Sequence, residues 1–260
     1  MPEGDTVYVA ATRLHRALAG ATLTKTDFRV PAIATADLSG RKLLEVVSRG
    51  KHFLFRIEGG TTFHCHFKMD GEWHLYRPGS RPRGPAHAIR TILETDEWTA
   101  VGFHLAMTEL VPTGEEESVV GHLGPDPLTS WDATEALRRL RQHADRPIAE
   151  VLLDQTVIAG PGNVYKCEIC FLRGVDPWTR VEDVPDHAAL VDLTARLMQA
   201  NRKTGTQITT GDERPGRQRW VYGRGNKPCR RCNTPIKRKA QDPGGERVTY
   251  WCPSCQPSGA

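Results

Sequence analysis

Apolar residues near the start of the chain recur at the spacing of an α-helix. Residues 6–19 carry one stripe made by Val7, Ala10, Ala11, Leu14, Ala17 and Leu18. Asp5 or Thr6 could cap the first turn with a side-chain oxygen, and Gly20 follows the last residue of the stripe. The pattern predicts one amphipathic helix with its apolar face turned toward a core.

The spacing changes to alternation between about residue 22 and residue 111. Two runs show this most clearly, namely Phe53, Phe55 and Ile57, and then Phe63, Cys65 and Phe67. Glycine-containing turns separate the runs. The alternation predicts an antiparallel β-sandwich or barrel behind the first helix, and it places Cys65 in the core.

Helical spacing returns in the second half of the chain, after a proline-rich, acidic linker at 113–130. Four helices are predicted there: Trp131–Gln142, Pro147–Gln155, Asn163–Leu172 and Asp186–Arg202. Residues 204–228 are rich in glycine, arginine and threonine, which predicts a flexible loop. We therefore expect an α+β multidomain protein, with a β-sandwich domain at 1–112, a helical domain at 131–203 and a cysteine module at 229–260.

Positive charge is concentrated in one segment, although the net charge of the whole chain is only +4. Residues 201–240 hold twelve lysines and arginines against two acidic residues, so their net charge is about +10. This concentration of positive charge suits binding to the phosphate backbone of a nucleic acid, although a solvated tail that only aids solubility would explain it equally well. No apolar run is long enough to span a membrane and the first residues do not form a secretory signal, so a cytoplasmic protein is expected.

Four of the seven cysteines form two closely spaced pairs near the end of the chain. Cys229 and Cys232 make one CxxC pair, and Cys252 and Cys255 make the other. Two such pairs present four thiolates at the corners of a tetrahedron, which predicts one structural zinc ion with no open position for water. Cys167 and Cys170 have the same spacing without a second pair, so a buried helical face is the expected setting.

Four separated stretches together resemble one protein family. They are MPEGDTV at 1–7, SRGKHFLF at 48–55, DQTVIAGPGNVYKCEICF at 154–171, and VYGRGNKPCRRC with GGERVTYWCPSCQ at 221–256. In this order they resemble the Fpg/Nei DNA glycosylases, and more closely the Nei (endonuclease VIII-like) branch of actinobacterial type. The resemblance implies an N-terminal helix with a β-sandwich, a helix–two-turn–helix domain and a C-terminal zinc finger. It also implies binding of damaged DNA, removal of oxidised bases and cleavage of the abasic strand.

The resemblance implies that Pro2 is the nucleophile, that Glu3 is a proton donor and that Lys51 contacts a phosphate and assists elimination. An α-amino group has a pKa of about 7.7–8.0 against about 10.4 for lysine, so it supplies far more free base at neutral pH. This role requires removal of Met1. Without the family, Glu3 would be interpreted as a helix-start carboxylate and Lys51 as a surface lysine.

The resemblance also implies a set of DNA contacts. Asn163 opens a helix after a glycine-rich turn, where it could cap the helix, bind a phosphate, or do both. Arg247 is favoured over Arg238 as the finger arginine that binds phosphates and supports the second elimination. Met69 resembles the residue that fills the gap left by a flipped base. Lys68 and His122 complete the expected DNA-binding set.

One stretch departs from the Fpg pattern. The strand AVGFHLAMTEL at 100–110 lacks the arginine that the Fpg branch uses as part of its wedge, and His122 stands where some members have arginine. These differences favour oxidised pyrimidines over 8-oxoguanine, and they leave duplex and single-stranded or bubble DNA open as substrates. We expect a monomeric, nucleoid-associated bifunctional glycosylase and AP lyase that cleaves by β- or β,δ-elimination. The alternatives are an oxidised-purine glycosylase with the same mechanism, a catalytically silent DNA-binding protein and a zinc-dependent regulator.

Overall fold

The strands predicted from alternation form two antiparallel sheets. The computed structural model describes residues 2–241 and 247–258. In chain order the first half contains α1 (Gly4–Leu18), β1 (Lys25–Phe28), β2 (Leu43–Arg49), β3 (His52–Ile57), β4 (Thr61–His66), β5 (Glu72–Tyr76), β6 (Ile89–Glu94), β7 (Thr99–Phe103), β8 (Met107–Pro112) and α2 (Glu117–Val120). The strand orders are β1-β6-β7-β5 and β2-β3-β4-β8, and each pairing is antiparallel. The predicted sandwich is confirmed.

Alternation along β3 and β4 decides which face of their sheet is buried. Phe53 pairs with Cys65 and Phe55 with Phe63, so these side chains share one face. All four are fully buried in the core of the sandwich. Burial raises the pKa of the Cys65 thiol, as expected for a cysteine that packs as a small apolar residue.

The apolar stripe of α1 lies against this core. Val7, Ala11, Leu14 and Leu18 are buried, while Ala10 and Ala17 are partly buried beside them. The predicted cap at Asp5 or Thr6 is wrong, because the helix begins at Gly4 and its N-cap residue is Glu3. Asp5 therefore lies in the first turn, where its carboxylate accepts a hydrogen bond of 2.8 Å from the backbone N–H of Thr6.

The second half contains α3 (Ala133–Arg141), α4 (Ile148–Val151), α5 (Asn163–Arg173), α6 (His187–Asn201), β9 (Lys237–Ala240) and β10 (Val248–Trp251). Helices α3, α5 and α6 pack around a second apolar core. The predicted helix Pro147–Gln155 is shortened to α4. The helix does not continue to Gln155, because Asp154 accepts hydrogen bonds from the N–H and hydroxyl of Thr156, and this side-chain hydrogen bonding favours a non-helical conformation there.

Strands β9 and β10 pair as an antiparallel hairpin. The predicted turn at 242–245, and Glu246 after it, lie outside the described residues, as does Met1. The chain divides into two compact units, Met1–His122 (the first unit) and Leu123–Ala260 (the second unit), with the cysteine module inside the second. None of the helices in the described part of the chain is both long and apolar enough to cross a membrane.

Candidate functional site

Helix α1 runs antiparallel to β2, and this brings two predicted site segments to the same end of the first unit. The C-terminal end of α1 is tied to the start of β2, because Gly20 N–H donates to Leu43 O (2.8 Å). Further along both elements, Val46 N–H donates to His15 Nδ1 (3.2 Å). Going back from His15 to Glu3 along the helix covers about 18 Å. Going forward from Val46, the strand covers about 10 Å to its last residue, Arg49, and the turn that holds Lys51 lies just beyond it.

The antiparallel packing places Pro2 and Glu3 at the same end of the first unit as the turn that carries Lys51. Glu3 is fully buried and lies at the N-terminal end of α1, where the helix dipole favours a negative charge. Pro2 is half-buried. Lys51 lies in the tight turn between β2 and β3, where Gly50 has φ +58°, a conformation that glycine adopts without strain. An amine, a carboxyl group and a lysine thus occur at one end of the sandwich.

A cluster of histidines that the sequence analysis did not single out lies beside this turn. His52 Nδ1 is 2.7 Å from His64 Nε2, and His64 Nδ1 is 2.9 Å from Glu109 Oε1. The ring of His66 lies edge-on to that of His52, with centroids 4.8 Å apart. The sequence does contain a signal for this cluster, because strand alternation places His64 and His66 together on the face opposite the phenylalanines.

Burial lowers the pKa of His52 to about 3 and that of His66 to about 4. Neighbouring basic groups act in the same direction, because a positive charge on one disfavours protonation of the next: His66, His64, His122 and Lys51 for His52, and Lys51, His64 and Lys68 for His66. Both histidines are therefore neutral at physiological pH.

Three more predicted DNA contacts of the first unit surround the same histidines. Lys68 has φ +49°, and its backbone N–H donates to His66 Nδ1 over 2.7 Å, which holds the bend before Met69. Met69 is 56% exposed, and it is one of three large apolar side chains that are exposed among the described residues. His122 is exposed, with its ring centroid 6.2 Å from that of His52.

In the second unit, Asn163 and Arg247 are brought together by α5 and β10. The capping interpretation of Asn163 is wrong, because Gly162 is the N-cap residue and no side chain caps the helix. The side chain of Asn163 instead donates from Nδ2 to Val248 O over 3.0 Å, one residue after Arg247. Asn163 is 5% exposed, and its Oδ1 has no hydrogen-bond partner within the described ranges. Arg247 is exposed.

The four predicted ligand cysteines form one compact cluster. Their Sγ atoms all lie within 4.8 Å of one another, with 3.9 Å between Cys229 and Cys255 and 3.4 Å between Cys232 and Cys252. A tetrahedral ion with thiolate bonds of about 2.3 Å needs sulfur atoms about 3.8 Å apart, so the cluster can hold one metal ion. The four thiolates would fill its coordination sphere.

The cysteine cluster shares an apolar core with α5. Cys229 and Cys252 are buried together with Cys167 and Phe171 of that helix. Tyr250 N–H also points at Cys167 Sγ, at 3.4 Å. Cys167 and Cys170 are both fully buried and belong to different cores, which confirms their packing role.

Comparisons with known proteins agree with this arrangement. Profiles described as the formamidopyrimidine-DNA glycosylase N-terminal domain and the formamidopyrimidine-DNA glycosylase H2TH domain match residues 1–108 and 123–211. Probable endonuclease 8 2 of Streptomyces coelicolor is 52% identical over 261 residues, covering 98% of this chain and 94% of that protein. The chain belongs to the formamidopyrimidine-DNA glycosylase family.

Other relatives in this family are named for two activities. The DNA-(apurinic or apyrimidinic site) lyase Nei2 of Mycolicibacterium smegmatis is 46% identical, covering 98% of this chain and 99% of that protein. The formamidopyrimidine-DNA glycosylase of Gluconobacter oxydans is 33% identical, again covering 98% and 99%. The structure of Lactococcus lactis Fpg with DNA containing an abasic site has a TM-score of 0.82 at 22% identity, covering 98% and 99% of the two chains, and it shares the fold.

One buried carboxylate organises the loop between the helices and the cysteine cluster of this family member. Within the described part of the chain, residues 204–228 contain neither helix nor strand. Glu168 of α5 nevertheless accepts the backbone N–H groups of Trp220, Val221 and Tyr222 at 2.8–2.9 Å, and also the hydroxyl of Thr209. Sequence analysis missed Glu168, because its partners lie 41–54 positions away along the chain.

Some basic residues of the segment also make contacts within the fold. Arg224 donates to two backbone carbonyls, Arg230 does the same, and Arg231 lies 4.4 Å from the ring centroid of Phe171. These arginines satisfy turns and cover an aromatic ring. Ten of the twelve basic residues are exposed, namely Arg202, Lys203, Arg214, Arg217, Lys227, Arg230, Arg231, Lys237, Arg238 and Lys239.

Proposed function

We propose that this protein is a bifunctional DNA glycosylase and AP lyase of base excision repair. The observation that carries the proposal is the antiparallel packing of α1 on β2, which brings the Pro2–Glu3 segment and Lys51 to the same end of the first unit in a chain that is 46% identical to a named AP lyase. An amine beside an acid and a phosphate-binding lysine is the set that covalent strand cleavage requires.

In the proposed reaction, removal of Met1 frees the secondary amine of Pro2. The amine nitrogen bonds to C1′ of the damaged nucleotide while the glycosidic bond breaks, and the base leaves with the electron pair and takes up the proton that the amine loses. Glu3 donates a proton to the ring oxygen as the sugar opens, which leaves an iminium ion. The resulting Glu3 carboxylate then takes a proton from C2′, the iminium accepts the electrons of that C2′–H bond, and the 3′ C–O bond breaks with phosphate as the leaving group.

The DNA contacts in this proposal are Lys51, Lys68, Met69 and His122 in the first unit and Asn163 and Arg247 in the second. Lys51 and Arg247 bind phosphates, and Arg247 supports removal of the second phosphate. Asn163 contributes from a helix N-terminus, which favours anions. Exposed Met69 is suited to occupy the space of a flipped base.

The cysteine cluster is assigned one structural zinc ion, held by Cys229, Cys232, Cys252 and Cys255. Zinc prefers four thiolates at this spacing, and its binding free energy supports a segment that is too short to have a core of its own. The domain boundaries of this proposal are those expected from the sequence: 1–112, a linker at 113–130, 131–203, a loop at 204–228 and 229–260. The protein acts as a monomer in the cytoplasm, at the nucleoid.

Borohydride trapping on DNA with an abasic site tests the chemistry. A covalent protein–DNA adduct is expected when mass spectrometry shows that Met1 is absent, and Pro2→Gly should retain some trapping while an N-terminally blocked protein should show none. Absence of an adduct with the unblocked protein would favour a silent DNA-binding protein instead.

A lesion panel tests the substrate. We propose oxidised pyrimidines, because the relatives named endonuclease 8 2 and Nei2 are 46–52% identical whereas the relative named formamidopyrimidine-DNA glycosylase is 33% identical. Cleavage should be faster at 5-hydroxyuracil than at 8-oxoguanine, with each lesion placed in duplex, bubble and single-stranded DNA. Faster cleavage at 8-oxoguanine would assign the protein to oxidised purines.

A further inference from the structure

Glu109, His64 and His52 form a continuous hydrogen-bonded chain on the outer face of the β2-β3-β4-β8 sheet. The strand register explains the alignment, because His64 pairs with Glu109 across β4 and β8. His52 pairs with His66, which lies two residues from His64 on the same face. The rings of His52 and His64 are nearly parallel, with an interplanar angle of 13°. The side chain of His64 is 1% exposed, so water does not compete at the centre of the chain, whereas Glu109 at its end is 43% exposed.

The chemistry of the end group sets the direction of one hydrogen bond. A carboxylate only accepts, so Nδ1 of His64 must carry the proton that it donates to Glu109. When Nε2 of His64 accepts, Nδ1 of His52 is the donor. Nε2 of a neutral His52 then carries no proton, and the hydrogen-bonded chain selects one tautomer of His52.

His52 lies next in the chain to the lysine that the proposed reaction uses. It is the first residue of β3, and it pairs with Arg49 on the other side of the two-residue turn. Its hydrogen-bonded ring anchors one end of the turn. A ring held in one orientation therefore fixes the position of the turn that carries Lys51.

We propose that Glu109 and His64 are positioning residues for strand cleavage: they hold His52 as the Nδ1–H tautomer, which fixes the β2–β3 turn that carries Lys51. The inference rests on the role of Lys51 in the proposed function. It assigns a task to three side chains to which the proposed reaction gives no role.

Nuclear magnetic resonance of the full-length protein tests the tautomers directly. Long-range proton–nitrogen spectra of histidine rings at pH 7.5, assigned with single substitutions, should show Nδ1 protonated and Nε2 unprotonated in both His52 and His64. In Glu109→Ala the preference of His64 should weaken, and that of His52 should weaken with it. An Nε2–H tautomer or an imidazolium at His52 in the unaltered protein would overturn the inference.

Single-turnover cleavage of DNA with a preformed abasic site tests whether the hydrogen-bonded chain contributes to strand cleavage. His64→Leu removes both hydrogen bonds and should slow cleavage about 10-fold with a less than about 2-fold change in DNA affinity. His64→Gln keeps a donor and an acceptor on one side chain and should recover most of the rate. His87→Leu is the matched control, because His87 is exposed elsewhere in the first unit, and its rate should not change.

A double variant distinguishes a failure of this inference from a failure of the proposed function. His64→Leu combined with Lys51→Ala should cleave no more slowly than Lys51→Ala alone, because both changes act through the same lysine. Additive losses in cleavage rate would overturn the inference, and so would an unchanged rate in His64→Leu. A failure of the proposed function would look different, since the unaltered protein would then give no borohydride adduct or Lys51→Ala would cleave at the full rate.

Discussion

Replacing Glu168 should unfold the loop that joins the helices to the cysteine cluster. Its two carboxylate oxygens accept three backbone N–H groups, of which that of Val221 is fully buried and those of Trp220 and Tyr222 are half-buried. An unsatisfied buried N–H costs about 1–3 kcal/mol. Glu168→Ala leaves three such N–H groups. The two that water can partly reach should cost the lower limit of about 1 kcal/mol each, so we expect the free energy of unfolding of the second unit to fall by about 3–5 kcal/mol in total.

Glu168→Gln is the more informative change, because it removes one acceptor and keeps the shape. An amide oxygen in place of Oε1 can still accept from Val221 and Tyr222, while the amide nitrogen opposes the N–H of Trp220. The expected loss is about 1–3 kcal/mol, between the unaltered protein and the alanine variant. Glu213→Gln is the control, since Glu213 is an exposed carboxylate of the same loop, and its effect should stay within about 0.5 kcal/mol.

Urea unfolding in the presence of zinc measures these differences, and limited proteolysis between residues 203 and 222 locates them. The first cleavages in Glu168→Ala should fall inside that segment, whereas the control should resist protease like the unaltered protein. A loss below about 1 kcal/mol in Glu168→Ala would refute the reasoning, because it would mean that water satisfies the loop as well as the carboxylate does.

Three further predictions concern other parts of the molecule. Cys252→Ser should release zinc and abolish DNA binding while the first unit stays folded, and unchanged zinc stoichiometry would contradict a four-thiolate site. The pKa of His52 and His66 is lowered by folding, so the unfolded chain binds more protons below about pH 6.5 and stability falls as the pH decreases. At pH 5 each of the two histidines should have lowered the free energy of unfolding by up to about 2 kcal/mol, since the pH is then about 1.5 units below 6.5 and each unit is worth about 1.36 kcal/mol. A variant with glutamine at both positions should show a flatter dependence of thermal stability on pH between about pH 7 and 5. Asn163→Asp should weaken DNA binding more than 10-fold and also lower the thermal stability of the second unit, because a buried carboxylate repels phosphate and cannot donate to Val248 O; equal binding would exclude a phosphate contact at Asn163.

Features that depend on local spacing were predictable from the sequence. The alternation around Phe53 and Phe63 identifies the buried face of β3 and β4, and the stripe from Val7 to Leu18 identifies the buried face of α1. The two CxxC pairs predicted the cysteine cluster, because each pair fixes two ligands within one turn.

Features that depend on distant partners were not predictable in the same way. The cap assigned to Asn163 is wrong because its amide hydrogen-bonds to β10, 85 positions away. Glu168 appears in the sequence as an ordinary helical glutamate, and only the folded loop shows what its carboxylate accepts. The order of the strands in the two sheets likewise follows from long-range pairing, which alternation does not encode.

The antiparallel packing of α1 on β2 restricts how the two segments can change in length during evolution. Inserting two residues in β2 and two in the paired strand β3 would move Lys51 by about 6.6 Å and preserve which face each side chain occupies. A compensating insertion in α1 would need about four residues, or 6 Å, and four residues also return the helix close to its original face. Insertions and deletions toward the end that carries Pro2, Glu3 and Lys51 should therefore occur in paired sizes, two in each strand of the hairpin with four in the helix, and unpaired ones should separate the Pro2–Glu3 segment from Lys51.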